Sequence, residues 1–253
     1  MRISTRCAVC DILENDYESY FMFDITDEII IQSVTCPKGH PSVLILTHQR
    51  FELLFDMGLH ALNDGYYREA ATNFAVAVER FHEFSIEVMT AALKNNFGKP
   101  HGGNNFNSQY ISTWKKMSQQ SERQLGAYMM LYLLSFNKSP DMLSNKTTQF
   151  RNEVTHKGTF PSKERVMEYG ETVFNYIKDK LEELRHTFPE AFEYVSQKQL
   201  NQALEQNANG VLVQINQTAT FNIDEETGEL YHNSFEEALF TCSKFQFLKS
   251  DPV

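Results

Sequence analysis

No stretch of this chain approaches the eighteen or so consecutive apolar residues that cross a bilayer, and even Ala127 to Leu134 ends at the polar Ser135. No membrane association is therefore expected. The start, Met1 to Cys10, carries Arg2 and Arg6 but lacks the apolar core of a secretory signal, so a cytoplasmic protein is the expectation. Basic charge is scarce: 23 Lys and Arg against 33 Asp and Glu leave a net charge of −10. That balance argues against a protein that coats nucleic acid nonspecifically, which needs cations along the phosphate backbone. Cysteine is limited to four residues, and a reducing compartment disfavours disulfides between them. Internal repeats and low-complexity tracts are also missing.

What is present suits a globular protein. With 42% apolar residues and 13% aromatics over 253 residues, the chain can bury a real core as one large domain or two modest ones. The acidic excess is not uniform. Thr90 to Ser121 contains no Asp or Glu, yet holds Lys94, Lys99, Lys115 and Lys116, with His101, Tyr110 and Trp114 among them. A basic surface bearing aromatic rings on an acidic body can guide a polyanion to one place, and Lys115 and Lys116 are its candidate RNA contacts.

The cysteines mark an N-terminal segment. Cys7 and Cys10 form a C-x2-C knuckle, and Cys36 with His40 forms C-x3-H within Cys36-Pro37-Lys38-Gly39-His40. Two such half-sites, separated by the strand-like Tyr20 to Ile25 and Glu28 to Val34, supply the four N/S ligands of a tetrahedral zinc site. Pro37 and Gly39 suit a tight turn that aims ligands inward. A closed Cys3His set leaves no position for water, so the zinc is read as structural, folding a segment too small to hold itself together. Cys242 is read as a buried core thiol.

From Phe51 the hydrophobic period changes from that of strands to that of helices. Phe51, Leu54, Phe55, Leu59 and Leu62 trace one stripe, broken by Asn63-Asp64-Gly65. A long helix follows from Tyr67 to Leu93, with Ala70, Phe74, Ala77, Phe81, Phe84 and Val88 on one face. The Gly- and Asn-rich Asn95 to Asn107 is read as a loop. Further helices are expected at Ile111 to Met117, Gln124 to Phe136, through Arg151, and from Ser162, a capping residue, to His186. Ala191 to Asn207 reads as one more helix, Val211 to Ile223 as a strand, and Leu230 to Phe235 as its returning partner. The chain is thus mainly α: residues 1–48 a zinc-binding β segment, 49–188 a helical bundle, and 189–253 a short α/β extension.

One segment combines an anion clamp with a proton carrier: Arg151, Asn152, Glu153, Val154, Thr155 and His156, running into Lys157 and Gly158. The always-charged guanidinium of Arg151 can hold a phosphate by two hydrogen bonds, and the imidazole of His156 can move a proton to or from a ribose hydroxyl. Metal-free cleavage of RNA needs that pairing. Lys157 is a further candidate RNA contact. Phe150 and Val154, one turn apart, predict a helix that Gly158 can stop. On it Asn152 and His156 share a face, whereas Arg151 and His156 diverge by roughly 140° about the axis. Only a bent Arg side chain or a second copy of the motif brings both onto one phosphate.

The order of helices, the segment Leu62-Asn63-Asp64-Gly65-Tyr66-Tyr67-Arg68-Glu69-Ala70 leading to Ala77-Val78-Glu79-Arg80, and the segment Phe150 to Gly158 together resemble the HEPN superfamily of all-helical domains, common in RNA-cleaving toxins and antiviral defence proteins. The resemblance covers roughly Gln49 to His186. It implies a HEPN-like helical bundle and a metal-independent endoribonuclease that acts as a homodimer, two motifs meeting in one cleft. Arg151, Asn152 and His156 carry over as catalytic residues, with Arg151 stabilising charge on the phosphate, His156 shuttling a proton and Asn152 orienting the pair. Glu79 supports them from the long helix. The alternative within the same resemblance is a non-catalytic module that binds nucleotides or proteins.

Overall fold

The structure, a computed structural model, describes residues 2–16, 20–24, 31–94, 103–118, 120–206, 213–216, 220–221, 230 and 232–244. The protein is mainly helical and divides into two compact units. One comprises Met1–His48 with Gln197–His232 and Glu236–Val253. The other comprises Gln49–Ser196 with Asn233–Phe235.

In the first unit β1 (Arg2–Arg6) pairs antiparallel with β2 (Tyr20–Asp24), with Arg2 opposite Asp24 and Arg6 opposite Tyr20. Between them lies a short helix that the sequence did not announce, α1 (Ala8–Leu13). A second sheet is built on the hairpin of β3 (Ile31–Thr35) and β4 (Pro41–Leu46), with Ile31 opposite Ile45 and Thr35 opposite Pro41. Ile25 and Glu28 to Ile30, read as parts of strands from sequence, lie outside the described residues. β4 is the central strand, and its run Val43-Leu44-Ile45-Leu46 is buried along its whole length, as a strand covered on both faces requires.

The helical unit begins with α2 (Arg50–Asn63), capped by Gln49, whose backbone N–H donates to Glu52 Oε2 at 2.6 Å. Gly65, at φ +82°, turns the chain directly into α3 (Tyr67–Lys94). The two helices approach closely because Gly58 has no side chain: a Cβ there would stand 2.4 Å from the ring of Phe74. Around α3 pack α5 (Ser121–Phe136), α6 (Asn145–Lys157) and α7 (Lys163–Thr187). α4 (Gly103–Met117) starts well before Ile111. The expected loop is therefore corrected over 103–107, where the sequence spacing of Phe106, Tyr110 and Trp114, four apart, keeps the helical period despite the poor propensity of Gly and Asn. Residues 95–102 of that loop lie outside the described residues.

α8 (Pro189–Gln206) runs from the helical unit, through Ser196, into the first. β5 (Val213–Asn216) then joins the first unit's sheet parallel to β4, with Val43 opposite Val213 and Leu46 opposite Asn216. Residues 222–229 and 231 lie outside the described residues. Of the expected strand Val211 to Ile223, Thr220 and Phe221 stand in a turn instead, and of its returning partner Leu230 forms only a single bridge while His232, Asn233 and Ser234 form no strand. Its expected end, Phe235, is corrected: it opens α9 (Phe235–Lys244), which carries the buried Cys242. Phe235 is fully buried in the helical unit, in an aromatic cluster with Phe55 at 6.3 Å, Phe74 at 6.1 Å and Phe174 at 6.5 Å. Among the described residues no helix is long and apolar enough to cross a membrane.

Candidate active site and metal centre

α6 carries the Arg151 motif, and both of its ends are set by sequence. Ser144 caps the start by accepting from the backbone N–H of Thr147 at 3.2 Å. Gly158, at φ +68°, ends it in the left-handed conformation that spares glycine a Cβ clash. Phe150 and Val154 are buried and fix the rotation of the helix, Phe150 lying 5.0 Å from the ring of Tyr169 on α7. That rotation turns Arg151 toward α3. Its guanidinium donates to the carboxylate of Glu79 through one nitrogen, and to Asn152 Oδ1 through another at 3.2 Å. The candidate residues Arg151, Asn152 and Glu79 are thus brought together.

Arg151 and Glu79, but not Asn152, line a cleft of about 260 Å³ with His82, Gln124, Met129 and Tyr169. His82, Gln124 and Tyr169 were not singled out from sequence. The signal was present for His82 alone, since Glu79 and His82 are three apart on one helix and share a face. The two aromatic and imidazole groups are chemically quiet. Burial pushes the Tyr169 phenol well above its ordinary range and brings His82 down to about 3. His82 is therefore neutral at physiological pH, stacked on Tyr128 at 4.3 Å, with Nε2 2.8 Å from Tyr176 Oη.

His156 is exposed in the last turn of α6 and does not line this cleft. Within one chain Arg151 and His156 diverge, as the helical spacing predicts. Lys157 is exposed as the last residue of α6, and Lys115 and Lys116 are exposed in the last turn of α4. None of the three lines the cleft. Beside them on α4, Tyr110 and Trp114 stack with their rings nearly parallel at 6.4 Å.

In the first unit, Cys7, Cys10, Cys36 and His40 offer ligand atoms that all lie within 4.8 Å of one another. Cys7 precedes α1 and Cys10 sits in its first turn, so one helix start aims both sulfurs the same way. Cys36 and His40 flank the β3–β4 turn, where Cys36 N–H donates to the His40 carbonyl at 3.1 Å and Gly39, at φ +90°, donates to the Cys36 carbonyl at 2.9 Å. Nδ1 of His40 lies 3.8, 3.4 and 3.6 Å from the sulfurs of Cys7, Cys10 and Cys36, and the last two sulfurs are 3.9 Å apart. A tetrahedral ion with bonds of about 2.3 Å to sulfur and about 2.0–2.1 Å to nitrogen sets its donors roughly 3.5–3.8 Å apart. The four residues fit such an ion, and the sulfur spacing is far beyond a disulfide bond.

The opposite edge of the His40 ring is also held. Nε2 lies 3.5 Å from Glu14 Oε1, and Lys38 bonds both Glu14 and Asp16 at 2.7 Å. Lys38 holds the Glu14 carboxyl below its ordinary value, chiefly by that hydrogen bond. Burial pushes the Cys36 thiol up, but hydrogen bonds from the His40 and Lys38 backbone and from Cys7 and Cys10 outweigh it and leave the thiol lowered, toward the thiolate a metal needs.

No family model, curated protein or solved structure matches the chain.

Proposed function

We propose that the helical unit is a metal-independent endoribonuclease of the HEPN type and that the Cys3His cluster holds a structural zinc. The observation that carries the first reading is the bonding of Arg151 to Glu79 and Asn152 beside a cleft, with Arg151 and Asn152 on the same helix as the exposed His156. A guanidinium has five N–H donors, and Glu79 and Asn152 together leave others for a phosphate. Glu79 fixes the direction of Arg151, and Asn152 holds its second nitrogen.

In this reading RNA lies along the rim, with Lys157 and the Lys115–Lys116 pair of α4 as its backbone contacts. His156 takes the proton from a 2′-hydroxyl, whose oxygen attacks the adjacent phosphorus. The bond to the 5′-oxygen breaks, and that oxygen receives a proton. Arg151 stabilises the negative charge gathering on the phosphate between these events. His82, the imidazole that lines the cleft, is too far depressed to shuttle protons near neutrality, so in this reading the proton carrier is His156, outside the cleft. For Arg151 and His156 to act on one phosphate, two copies meet, one supplying each group.

A defence or toxin role is what the resemblance implies. A non-catalytic nucleotide- or protein-binding module is the second reading, favoured by the position of His156 outside the cleft.

The test compares an RNA with its 2′-O-methyl counterpart, with free divalent ions chelated. Cleavage of the RNA alone is expected. Equal cleavage of both would contradict attack by the 2′-hydroxyl, and binding without cleavage of either would favour the second reading.

The zinc reading rests on the donor set and its spacing. Three thiolates and one imidazole suit zinc, and with all four positions taken its contribution is to hold α1 against the β3–β4 turn. Glu14, on the far side of His40, fixes the ring so that Nδ1 faces the sulfurs.

A further inference from the structure

The turn between α6 and α7 presents a bare aromatic ring. Phe160 is 85% exposed, more than any other large apolar side chain among the described residues. A single exposed apolar residue ordinarily calls for no account, but this one is held from both sides. Before it, Gly158 ends α6, and the backbone N–H groups of Gly158 and Thr159 both donate to the Glu153 carbonyl. After it, Pro161 is buried, and Ser162 caps α7 by accepting from the Arg165 backbone N–H at 3.5 Å. The pyrrolidine ring of Pro161 also confines Phe160 to extended backbone. A ligand that covers the phenyl ring therefore meets a turn already ordered.

Charge selects the occupant. From Val154 to Lys163 there is no Asp or Glu, in a chain whose net charge is −10. His156, Lys157 and Lys163 stand exposed within four residues of Phe160. Lys157 and Lys163 pair with no carboxylate among the described residues, whereas Lys138, Lys146 and Lys180 of the same unit each do. Arg165 is already engaged, 4.7 Å above the Phe150 ring and 3.5 Å from Glu153 Oε2. The nearest acid, Glu164, turns back on the start of its own helix, where its own backbone N–H and the Ser162 hydroxyl hold its carboxyl below the ordinary range. An aromatic face between two free ammonium groups fits a polyanion that carries flat rings. Unpaired nucleic acid is such a ligand, its bases stacking on the face and its phosphates meeting the ammonium groups. A wholly apolar partner would instead cover the two charges without satisfying them. Four residues of chain span at most about 14 Å, so a base on Phe160 lies beside or close to the nucleotide that His156 meets.

We propose that Phe160 is a base-stacking platform: an unpaired RNA base lies on its ring, Lys157 and Lys163 hold the flanking phosphates, and the strand is thereby seated beside His156. That the strand is RNA and that His156 acts on it rest on the nuclease reading above. The platform itself stands on the ring and its two free cations.

The test is binding of a mixed-sequence, single-stranded 2′-O-methyl RNA to the full chain, followed by fluorescence anisotropy over a range of salt. Methylation blocks attack by the 2′-hydroxyl and leaves bases and phosphates in place. Phe160→Ala, with unchanged circular dichroism, is expected to bind about 5- to 150-fold more weakly, the loss of one base–aromatic stack. Phe160→Trp is expected to keep the parental affinity, and Phe160→Leu, apolar but without a π face, to bind as weakly as Phe160→Ala. Lys163→Gln is expected to reduce the slope of log affinity against log salt by about 0.7, whereas Phe160→Ala leaves the slope alone. Parental affinity in Phe160→Ala or in Phe160→Leu would overturn the proposal. So would a parent that binds no RNA, which would assign the turn to a protein partner. Binding that depends on Phe160, in a chain that cuts no RNA, upholds the platform and sinks the nuclease reading alone. A parent that cuts RNA and binds it equally well without the ring sinks the platform alone.

Discussion

Arg151 and His40 are each held from two sides, and in each case the second partner sets what the first can do. Glu79, which the resemblance offers as a support on the long helix, pairs with Arg151 across 72 residues of sequence, so the partner was legible through the resemblance while the bond itself leaves no mark in the spacing. For His40 the ligand pairs were legible in full, because C-x2-C and C-x3-H are local. The Glu14 contact was not, being made by an ordinary exposed carboxylate. Replacing it, Glu14→Gln, is expected to lower zinc affinity about 10- to 100-fold with little change in fold. Competition with a chromophoric chelator measures this, and unaltered affinity would remove Glu14 from the site. His82 makes a separate prediction. Burial brings it to about 3 in the folded chain, whereas the unfolded chain takes up its proton near pH 6.5. Its contribution is therefore complete above pH 6.5 and is lost as pH falls toward 3. Between pH 7 and pH 5 that loss is about 2 kcal/mol, and His82→Gln should flatten the dependence of the urea midpoint by that amount. An equal slope in the variant would mean that His82 titrates normally.

Helices with a regular apolar stripe were plain from sequence, and those built on exceptions were not. α7 reads directly, with Ser162 as its cap and Val166, Val173, Ile177, Leu181 and Leu184 buried along one side. α2 and α3 read as a hairpin, but not the reason for their closeness, which lies in Gly58 against Phe74. Gly58→Ala would force that ring aside and is expected to cost about 1–3 kcal/mol, seen as a lower Tm. A Tm within a degree of the parent would mean the two helices can part without penalty. Phe235 escaped notice for a related reason. A single phenylalanine after a turn-rich stretch carries no periodic signal, and its place in the core depends on residues some 60 to 180 positions earlier, Phe55, Phe74 and Phe174. β5 was visible as a strand, but its parallel pairing with β4 joins segments 170 residues apart and leaves no mark in either.

At the scale of the molecule the chemistry is divided between two units. The first gathers Cys7, Cys10, Cys36 and His40 into a set that could hold a metal ion and draws β5 from the far end of the chain into its sheet. The second places Arg151 at a cleft and leaves His156 exposed on the same helix. Arg151 and His156 diverge by roughly 140° on one helix, and the proposed reading brings them to one phosphate through two copies. The central claim is that both residues are nonetheless needed for one reaction. The most direct measurement is RNA cleavage, with free divalent ions chelated, by the parent protein and by Arg151→Ala and His156→Ala, with folding and dimer mass verified for each. The parent is expected to cut and each variant to lose 10²-fold or more in rate. Cleavage by the folded His156→Ala variant at the parental rate would contradict it.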